Sequence, residues 1–370
     1  MRRGRRRPPA LALLLLACPL AGAAPSRALA EPRLEVLLLE DAPAVRVRGG
    51  RAGAAGIRLT PRGSGLSADG QPIGDAWRSE SLAGDPLQVG EFRVRGALEV
   101  RRSPAGLRVV NRIGLEDYVA GTLAREVYPT WEPEMLKAQA VVARTYGLYR
   151  RARRSRAGYD VEASTDGQVY GGVDAEMPAT VAAVAATHGE ILTHDGAPIL
   201  AVYHSASGGR TASAEEVWGR PVPYLVSAAV EDEEDSPDTY WRASIPRTTL
   251  GPALAPLGVR VGDVRGLRVS QRTASGRAAW VVVEGAAGTE RIEARALRRA
   301  LGDEVIRSTL FEIRPGAEGF VIVGSGHGHG VGMSQWGARG MARRGAGYRE
   351  ILAAFYPGCR LGRAAEVAAR

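Results

Sequence analysis

The hydrophobic pattern of this chain changes just after residue 110, and this change limits the folds that it can adopt. Between residues 33 and 110, short runs alternate apolar and polar residues and are separated by glycine turns, which is typical of β-strands. From residue 115 the apolar residues recur at helical spacing instead, first to about residue 127 and then from about 133 to 154. We therefore predict an α+β fold in which a β-rich N-terminal part, residues 31–110, leads into a central helical groove.

The rest of the chain is predicted to form one large domain, residues 111–370, with a small α/β subdomain inserted at about 244–310. The insertion is inferred from two strand patterns and a short helical pattern that follow one another there. Before it, the acidic stretch EDEEDSPD, residues 231–238, is typical of a solvated loop. After it comes the glycine-rich GSGHGHGVG, predicted to be a loop that runs into one or two helices.

Residues 1–30 have the pattern of an export signal. A basic start, MRRGRRR, precedes an apolar run and a small-residue exit, ALA, that ends at Ala30. Cys18 in LLAC is an alternative site, for attachment of a lipid anchor. We expect an exported protein of the periplasm or cell envelope, and no later stretch has the length and apolarity of a membrane span. Only Cys359 follows Ala30, which excludes an intramolecular disulfide in a chain cleaved there.

The net charge of the full chain, +9, overstates the charge of the expected mature protein. The export signal alone contains six arginines, and Lys137 is the only lysine in a chain that otherwise uses arginine. The remaining mild basicity suits a polyanionic partner such as the cell envelope. It does not indicate nucleic acid, because the aromatic-plus-basic stacking pattern of a known module is missing from the sequence.

One carboxylate in the first predicted helix differs from its neighbours. The buried stripe of that helix has i, i+3, i+4, i+7 and i+8 spacing and consists of Leu115, Tyr118, Val119, Thr122 and Leu123. Glu126 continues this stripe, where burial raises the pKa of a carboxyl group and lets it act as a general acid. An ion pair with Arg125, Lys137 or Arg144 is the ordinary alternative. Four nearby acids are predicted to be surface or helix-start charges: Glu116, Asp117, Glu132 and Glu134.

Two cations of the second predicted helix form a further candidate. Lys137 and Arg144 are seven residues apart, which places them two turns apart on one face. Cations in this arrangement can line a groove for an anionic or sugar-rich ligand. A solvated helix face is the alternative for Lys137.

The glycine loop GSGHGHGVG lacks the features of a nucleotide-binding motif. No Gly-Lys-Ser/Thr follows it, and the dinucleotide spacing lacks its strand-to-helix setting. The loop is predicted to bring backbone close to a ligand, with His327 and His329 at alternate positions. Zinc held by His204 and these two histidines is an alternative, but hydrogen bonding of the loop is favoured, and neither a metal nor a cofactor is predicted. GMSQW and HSASGG lack the spacing of a serine nucleophile, and Cys359 has no adjacent base.

Five ordered blocks of the chain resemble the SpoIID/LytB family of bacterial cell-wall proteins. They are LEDYVAGTLAREVYPTWEPEMLKAQAVVARTYGLY, STDGQVYGG, AVYHSASGGRTASAEEVWGRPVPYL, ERIEARALRRALG followed by STLFEI, and GHGHGVGMSQWGARGMARRGAGYREILAAFYPG. The resemblance implies cleavage of the peptidoglycan glycan strand between N-acetylmuramic acid and N-acetylglucosamine. In such enzymes one glutamate, matching Glu126, protonates the glycosidic oxygen and then takes the proton of the muramic C6 hydroxyl, which gives a 1,6-anhydro end. A hydrolase needs a second inward acid, and none is found near Glu126 in the sequence.

The resemblance also implies a glycan-binding groove. Its candidate residues are Lys137, Arg144, Tyr170, His204, Ser205, Arg210, His329, Gln335 and Trp336. The chain departs from the family pattern at Val127, where methionine is common, and at Trp336, where tyrosine is more usual. The cysteines of a zinc site found in some members are absent, so zinc is not carried over. The alternative from another class is a glycan-binding protein that stimulates a cell-wall amidase, an N-acetylmuramoyl-L-alanine amidase, without cutting.

Overall fold

The structure, a computed structural model, describes residues 31–153, 158–164, 167–231 and 233–368. The predicted export signal, residues 1–30, lies outside the described residues, and so does Cys18. Helices and strands both contribute to the described chain, so the predicted α+β class with a β-rich N-terminal part is confirmed. The domain boundaries stay a prediction. None of the helices in these ranges combines the length and apolarity needed to cross a membrane.

The N-terminal part is built from short strands. In chain order they are β1 (Arg33–Ala42), β2 (Val45–Arg48), β3 (Ile57–Arg62), β4 (Gly65–Ala68), β5 (Gln71–Gly74), β6 (Ala76–Glu80), β7 (Leu87–Val89), β8 (Phe92–Val94), β9 (Ala97–Arg102) and β10 (Leu107–Gly114). One sheet has the order β5-β4-β3-β2-β7-β8, and the other, completed by β11 (Val161–Glu162), has the order β11-β1-β10-β9-β6. Buried residues recur at every second position along the first half of β1 and along β2, which explains the alternating sequence pattern.

Two helices follow β10, α1 (Leu115–Glu126) and α2 (Pro133–Ala152). The chain leaves α1 at Val127, which is extended, and Pro129 follows before a new helix begins. Pro133 opens α2 at its first turn, where the missing N–H group is not needed. Most of α2 is buried on all sides, so it is the central helix of the fold.

The other elements surround α2 or extend away from it. They are α3 (Pro178–Ala186), β12 (Glu190–His194), β13 (Ala197–Pro198), β14 (Tyr203–His204), α4 (Ala214–Trp218), β15 (Trp241–Pro246), α5 (Arg247–Leu254), β16 (Val264–Arg272), β17 (Ala278–Gly285), β18 (Gly288–Glu293), α6 (Ala294–Leu301), β19 (Phe311–Pro315), β20 (Gly319–Gly324), β21 (Met333–Ser334), α7 (Gln335–Arg343), α8 (Tyr348–Phe355), β22 (Arg360–Arg363) and α9 (Ala364–Ala368). The short parallel pair of β14 and β21 places His204 beside Ser334. This pair brings the block AVYHSASGG, which contains His204, next to the glycine loop that precedes α7.

The described residues pack around two hydrophobic cores. The main core contains the N-terminal sheets, α1, α2, α7 and α8. The second core contains side chains of β15 to β20, α5 and α6, among them Trp241 and Ile322. Because β15 pairs with β20, the chain enters and leaves this second core at neighbouring strands. Its side chains span residues 241–322 and thus reach beyond the span predicted for the inserted subdomain, 244–310.

Candidate active site

Glu126, the last residue of α1, lines a cavity of about 520 Å³. The predicted site residues that line it are Glu126, His204, Ser205, His329 and Gln335. They come from the end of α1, from β14 and the residue after it, from the glycine loop, and from the start of α7. Segments that are far apart in sequence therefore meet where α1 ends.

Burial of the Glu126 side chain raises the pKa of its carboxyl group above the usual value. Two hydrogen bonds act in the opposite direction, because Oε1 accepts from the backbone N–H of Val169 at 2.7 Å and the hydroxyl of Tyr203 donates to the carboxylate. Desolvation is the larger of these effects. The carboxyl group is thus held in a fixed orientation while its protonated form is favoured, as a general acid requires.

The buried face of α1 explains why Glu126 points inward. All five residues of the predicted stripe are buried. The hydroxyl of Tyr118, in this stripe, donates to Gln168 Oε1 at 2.8 Å, and Gln168 Nε2 donates to the Tyr203 hydroxyl at 3.3 Å. A chain of hydrogen bonds therefore runs from α1 through two polar side chains and returns to the Glu126 carboxylate.

The alternative of an ion pair for Glu126 is not supported. Lys137 pairs with Glu134, with Nζ 2.5 Å from Oε1. Arg144 pairs with Glu116 through two hydrogen bonds, of 2.8 and 2.7 Å. Burial and two hydrogen bonds account for the pKa shift of Glu126, and within the described ranges it forms no ion pair.

The prediction that Lys137 and Arg144 line a groove together is wrong. Arg144 is fully buried and also donates to the backbone carbonyl of Glu190 at 2.9 Å, because its face of α2 packs against other elements. Lys137 lies outside the cavity, with Nζ 6.0 Å from the ring centroid of Tyr348. Glu116 is likewise more than the predicted surface charge, since it is the counter-ion of a buried arginine.

Three more predicted site residues lie outside the cavity. Tyr170 is buried and donates its hydroxyl to Asn111 Oδ1 at 3.1 Å. Arg210 is exposed to solvent. Trp336 packs edge-on against Trp131, with the ring centroids 4.8 Å apart. Tyr170 and Trp336 therefore pack against the main core and do not line the cavity.

Three histidines line the cavity: His204 is buried, and His327 and His329 are half-buried. Burial lowers the pKa of His329 to about 4 and the pKa of His204 well below its usual value, so both imidazoles are neutral near pH 7. His204 Nδ1 donates to the carbonyl of Val331 at 3.1 Å, which leaves Nε2 as an acceptor without a partner among the described residues. His329 Nδ1 accepts from the backbone N–H of Val331 at 3.0 Å. In the described ranges, no three His, Cys, Asp or Glu side chains are grouped as metal ligands.

The glycine loop brings backbone against buried side chains. Gly328 and Gly330 have φ values of +103° and +82°, a conformation that favours glycine. A Cβ atom at Gly328 would lie 2.8 Å from the Cβ of His204, and one at Gly330 would lie 2.5 Å from the guanidinium carbon of Arg277. The loop backbone therefore packs closely against these two side chains, and its predicted approach to a ligand stays a prediction.

We expect Gly330→Ala to lower the free energy of unfolding by more than Gly345→Ala does. Both glycines have positive φ, +82° and +92°, so each replacement carries a backbone cost of about 1–2 kcal/mol. At Gly330 the buried Arg277 must also move, which adds about 1–3 kcal/mol, whereas nothing lies within 4 Å of a Cβ at Gly345. Denaturant unfolding of the two variants measures the difference. Equal losses would contradict the packing argument.

Sequence reasoning missed Glu233, whose carboxylate joins two segments that adjoin the cavity. Its buried carboxylate accepts five hydrogen bonds, from the backbone N–H groups of Ser207 (2.6 Å), Gly208 (2.7 Å) and Gly209 (3.0 Å) and from the hydroxyls of Ser207 (2.8 Å) and Ser334. Ser334 is the N-cap of α7, which begins with Gln335. One carboxylate therefore connects the loop at residues 207–209 to α7, the helix that supplies Gln335.

The prediction of a solvated loop at residues 231–238 is wrong for two of its acids. Glu233 is 6% exposed and Asp238 is 5% exposed. Asp238 pairs with Arg307 at 2.6 Å and lies 3.2 Å from His327 Nδ1. The partners of both acids are distant in sequence, so a local charge pattern could not have indicated that they are buried.

Tyr203 and Gln168 were also missed. Both lie in blocks that carry the family resemblance, AVYHSASGG and STDGQVYGG, and a search of those blocks for every polar side chain would have found them. Gln335 was predicted as a ligand-binding residue, and its Nε2 donates to the backbone carbonyl of Glu126 at 3.1 Å. These side chains fix the end of α1 from two sides.

A second carboxylate, that of Asp303, lies at the rim of the cavity. Its side chain is 67% exposed and lies 3.7 Å from the guanidinium of Arg298. Solvent and a cation thus surround Asp303, whereas Glu126 is desolvated. The two carboxylates of the cavity differ in environment, and Glu126 is the inward one.

Fold and site together define a class of α+β protein in which one inward, half-buried acid lines a cavity at the end of a central helical pair. The SpoIID family model, described as stage II sporulation protein, matches residues 103–194, which include α1, α2 and Glu126. A second model, described as a domain of unknown function (DUF8618), matches residues 233–332 and covers the second core.

Relatives extend the match over most of the chain. An uncharacterised protein of Brachyspira hyodysenteriae is 36% identical over 253 residues, 68% of this chain and 67% of the relative. Stage II sporulation protein D of Bacillus amyloliquefaciens is 34% identical over 267 residues, 67% of this chain and 74% of the relative. The amidase enhancer of Bacillus subtilis is 30% identical over 289 residues, 65% of this chain but 40% of the relative. The chain belongs to the SpoIID/LytB family, as its five sequence blocks predicted.

Proposed function

We propose that this protein cleaves the glycan strand of peptidoglycan between N-acetylmuramic acid and N-acetylglucosamine by non-hydrolytic transglycosylation, in remodelling of the cell wall. The observation that carries the proposal is the desolvated carboxyl group of Glu126, whose raised pKa keeps a proton available beside an open cavity. A cavity of about 520 Å³ is in the range of ligand sites, about 300–1,000 Å³. Family membership supports the choice of a cell-wall substrate.

The proposed reaction uses Glu126 twice. First the carboxylic acid donates its proton to the glycosidic oxygen, the bond from that oxygen to muramic C1 breaks, and the N-acetylglucosamine leaves with a free O4 hydroxyl. The resulting carboxylate then takes the proton of the muramic C6 hydroxyl. The C6 oxygen bonds to C1 and gives a 1,6-anhydro end, which restores the protonated Glu126. The proposed steps consume no water and need no cofactor.

The environment of Asp303 favours this route over hydrolysis by two carboxylates. An inverting hydrolase needs a second acid beside the scissile bond to activate water, and a retaining one needs it as a nucleophile. Asp303 is exposed at the rim and close to Arg298, so it is poorly placed for either task.

The other side chains of the cavity have supporting roles in the proposal. Tyr203 orients the acid directly, and Gln335 positions it through the backbone of Glu126. His204, Ser205 and His329 are proposed to contact the sugar, because they line the cavity and the acceptor Nε2 of His204 has no protein partner in the described chain. The location that fits such a substrate is the periplasm or cell envelope.

The proposal is tested with peptidoglycan from which the stem peptides have been removed. Incubation with the purified protein is expected to release fragments with 1,6-anhydro-N-acetylmuramic acid ends, detected by mass spectrometry. Fragments with reducing ends that carry oxygen from labelled water would indicate a hydrolase instead. Intact strands after prolonged incubation would overturn the proposal.

A non-catalytic role is the second candidate, because one relative is named an amidase enhancer. In that case the cavity holds glycan without cutting it and raises the rate of an N-acetylmuramoyl-L-alanine amidase. The same experiment separates the two roles when an amidase is added. Stimulation by the Glu126→Gln variant as strong as that by the parent, without anhydro ends from either, would favour the enhancer.

We expect the cleavage rate to fall as the pH rises through the raised pKa of Glu126. The first step needs the protonated acid, and burial moves the pKa of that acid above its usual value of 4.5. The descending limb of a plot of kcat/KM against pH should therefore lie above pH 4.5. A rate that increases with pH over the same range would show that the acid form of Glu126 is not the active one.

A further inference from the structure

A second cavity, of about 380 Å³, adjoins the Glu126 cavity. Four residues line both cavities: Trp218, Arg298, Gly328 and His329. One wall of the second cavity is formed by α4 of the main core, and the opposite wall by residues of the second core between 273 and 309. The two cavities therefore form one groove that begins at Glu126 and runs along the boundary between the cores.

The floor of the second cavity has buried polar atoms without partners. Arg277 is 1% exposed, and its Nη2 donates to the backbone carbonyls of Ser207 at 2.7 Å and Arg210 at 3.2 Å. Its Nε and Nη1 have no partner among the described residues. In Glu216, Oε1 accepts from the N–H of Ser275 at 3.0 Å, while the buried Oε2 has no partner in the same ranges. Buried polar atoms are normally hydrogen-bonded, so the unpaired donors and acceptor of these two lining residues point to a polar ligand group that would complete them.

The charges of the second cavity do not select an anion. Four arginines and three glutamates line it. Arg295 is paired with Glu293 at 2.5 Å, and Arg277 already has the carboxylates of Glu216 and Glu233 nearby. A free carboxylate on the ligand would meet a glutamate at the floor. A neutral group that can both donate and accept hydrogen bonds fits this arrangement better.

Two indole rings complete the second cavity. Trp218 is at the junction with the first cavity, and its ring centroid is 5.7 Å from that of His329. Trp280 lines the far part, on β17. Indole rings provide flat apolar surface on which the C–H face of a sugar ring can pack. The hydroxyl and acetamido groups of an N-acetylhexosamine supply the donors and acceptors that the floor requires.

We propose that the second cavity is a saccharide subsite, which binds an N-acetylhexosamine unit of the strand away from the bond that is cut. This inference rests on the proposed function for the identity of the strand, and it assigns a binding role to the second core, which matches a domain of unknown function. An oligosaccharide that reaches both cavities binds more tightly than one that fills the first cavity alone.

The test measures binding without cleavage. N-acetylglucosamine dimer and hexamer are titrated by calorimetry into the Glu126→Gln variant, which keeps the groove but lacks the acid. We expect the hexamer to bind at least about tenfold more tightly than the dimer. Adding Trp280→Ala should remove most of that advantage and leave dimer binding unchanged, and Trp280→Phe should retain part of it. Trp77→Ala, a matched change on β6 of the N-terminal part, should alter neither affinity.

Two results would overturn the subsite. One is equal affinity of the Glu126→Gln protein for dimer and hexamer. The other is an equal loss of both affinities in Trp280→Ala with no recovery in Trp280→Phe. Because binding is measured in a variant without the acid, failure of the cleavage proposal is recognised separately. Length-dependent binding without anhydro ends from the parent would remove only the proposed reaction, and anhydro ends without length dependence would remove only the subsite.

Discussion

Replacing Glu126 by glutamine is expected to lower the rate of anhydro-end formation from denuded glycan by about 10²–10⁴-fold. The amide keeps the size of the side chain but has no proton to give to the glycosidic oxygen. Carboxamide groups also cannot take the proton of the C6 hydroxyl, so both proposed steps are affected. Mass spectrometry of the released ends measures the loss. A variant that cuts as fast as the parent would show that Glu126 is not the acid.

The matched control for this prediction is Asp303→Asn, in the other carboxylate of the cavity. Because Asp303 is exposed and lies beside Arg298, we expect its replacement to change the rate by less than about tenfold. Equal losses in the two variants would favour a two-carboxylate hydrolase.

The stability of the Glu126→Gln variant gives a second check on the same residue. A carboxyl group whose pKa is raised on folding opposes folding once the pH exceeds that raised pKa, and it has no such effect below the pKa of the unfolded chain. Glutamine does not ionise. The variant should therefore gain stability relative to the parent as the pH rises, and thermal unfolding at acidic and alkaline pH measures this. A relative loss with rising pH would contradict the burial of a protonated acid.

Glu233→Gln is expected to lower the free energy of unfolding by about 3–5 kcal/mol. The amide group would turn its own N–H donors toward N–H and O–H groups that now donate to the carboxylate, and it would leave them unsatisfied. Arg277 would also lose a nearby counter-charge. Denaturant unfolding measures the stability, and the cleavage rate should fall too because the start of α7 loses its connection to the loop at residues 207–209.

Glu234→Gln is the control for this prediction, since Glu234 is the adjacent residue of the same acidic stretch and is exposed. It should change the free energy of unfolding by no more than about 0.5 kcal/mol. A similar small effect at Glu233 would mean that its five hydrogen bonds are not important for stability.

Local patterns predicted the parts of the structure that depend on local physics. The alternation of apolar and polar residues predicted the strands of the N-terminal part. The apolar stripe of α1 identified Glu126 as the inward acid. The same argument from helical spacing was wrong for Arg144, because it assumed that a cation on a helix faces solvent or a groove. A helix buried on all sides has no such face, and its arginine is instead paired with Glu116.

Long-range contacts account for what the sequence did not reveal. The burial of Glu233 and Asp238 depends on donors in other segments, and a run of acids has the same composition in a solvated loop. The hydrogen bond from Gln168 to Tyr203 joins residues from two separate blocks. The groove between the cores depends on how two packed units meet, which periodicity within either unit does not determine.

The contact between Gln335 and the end of α1 has a consequence for how the protein is made. It joins residues 209 positions apart, so the cavity closes only after the start of α7 has emerged and docked. A nascent chain in which α7 has not yet been synthesised carries Glu126 without a finished cavity. The order of synthesis therefore delays the proposed glycan cutting until folding is nearly complete.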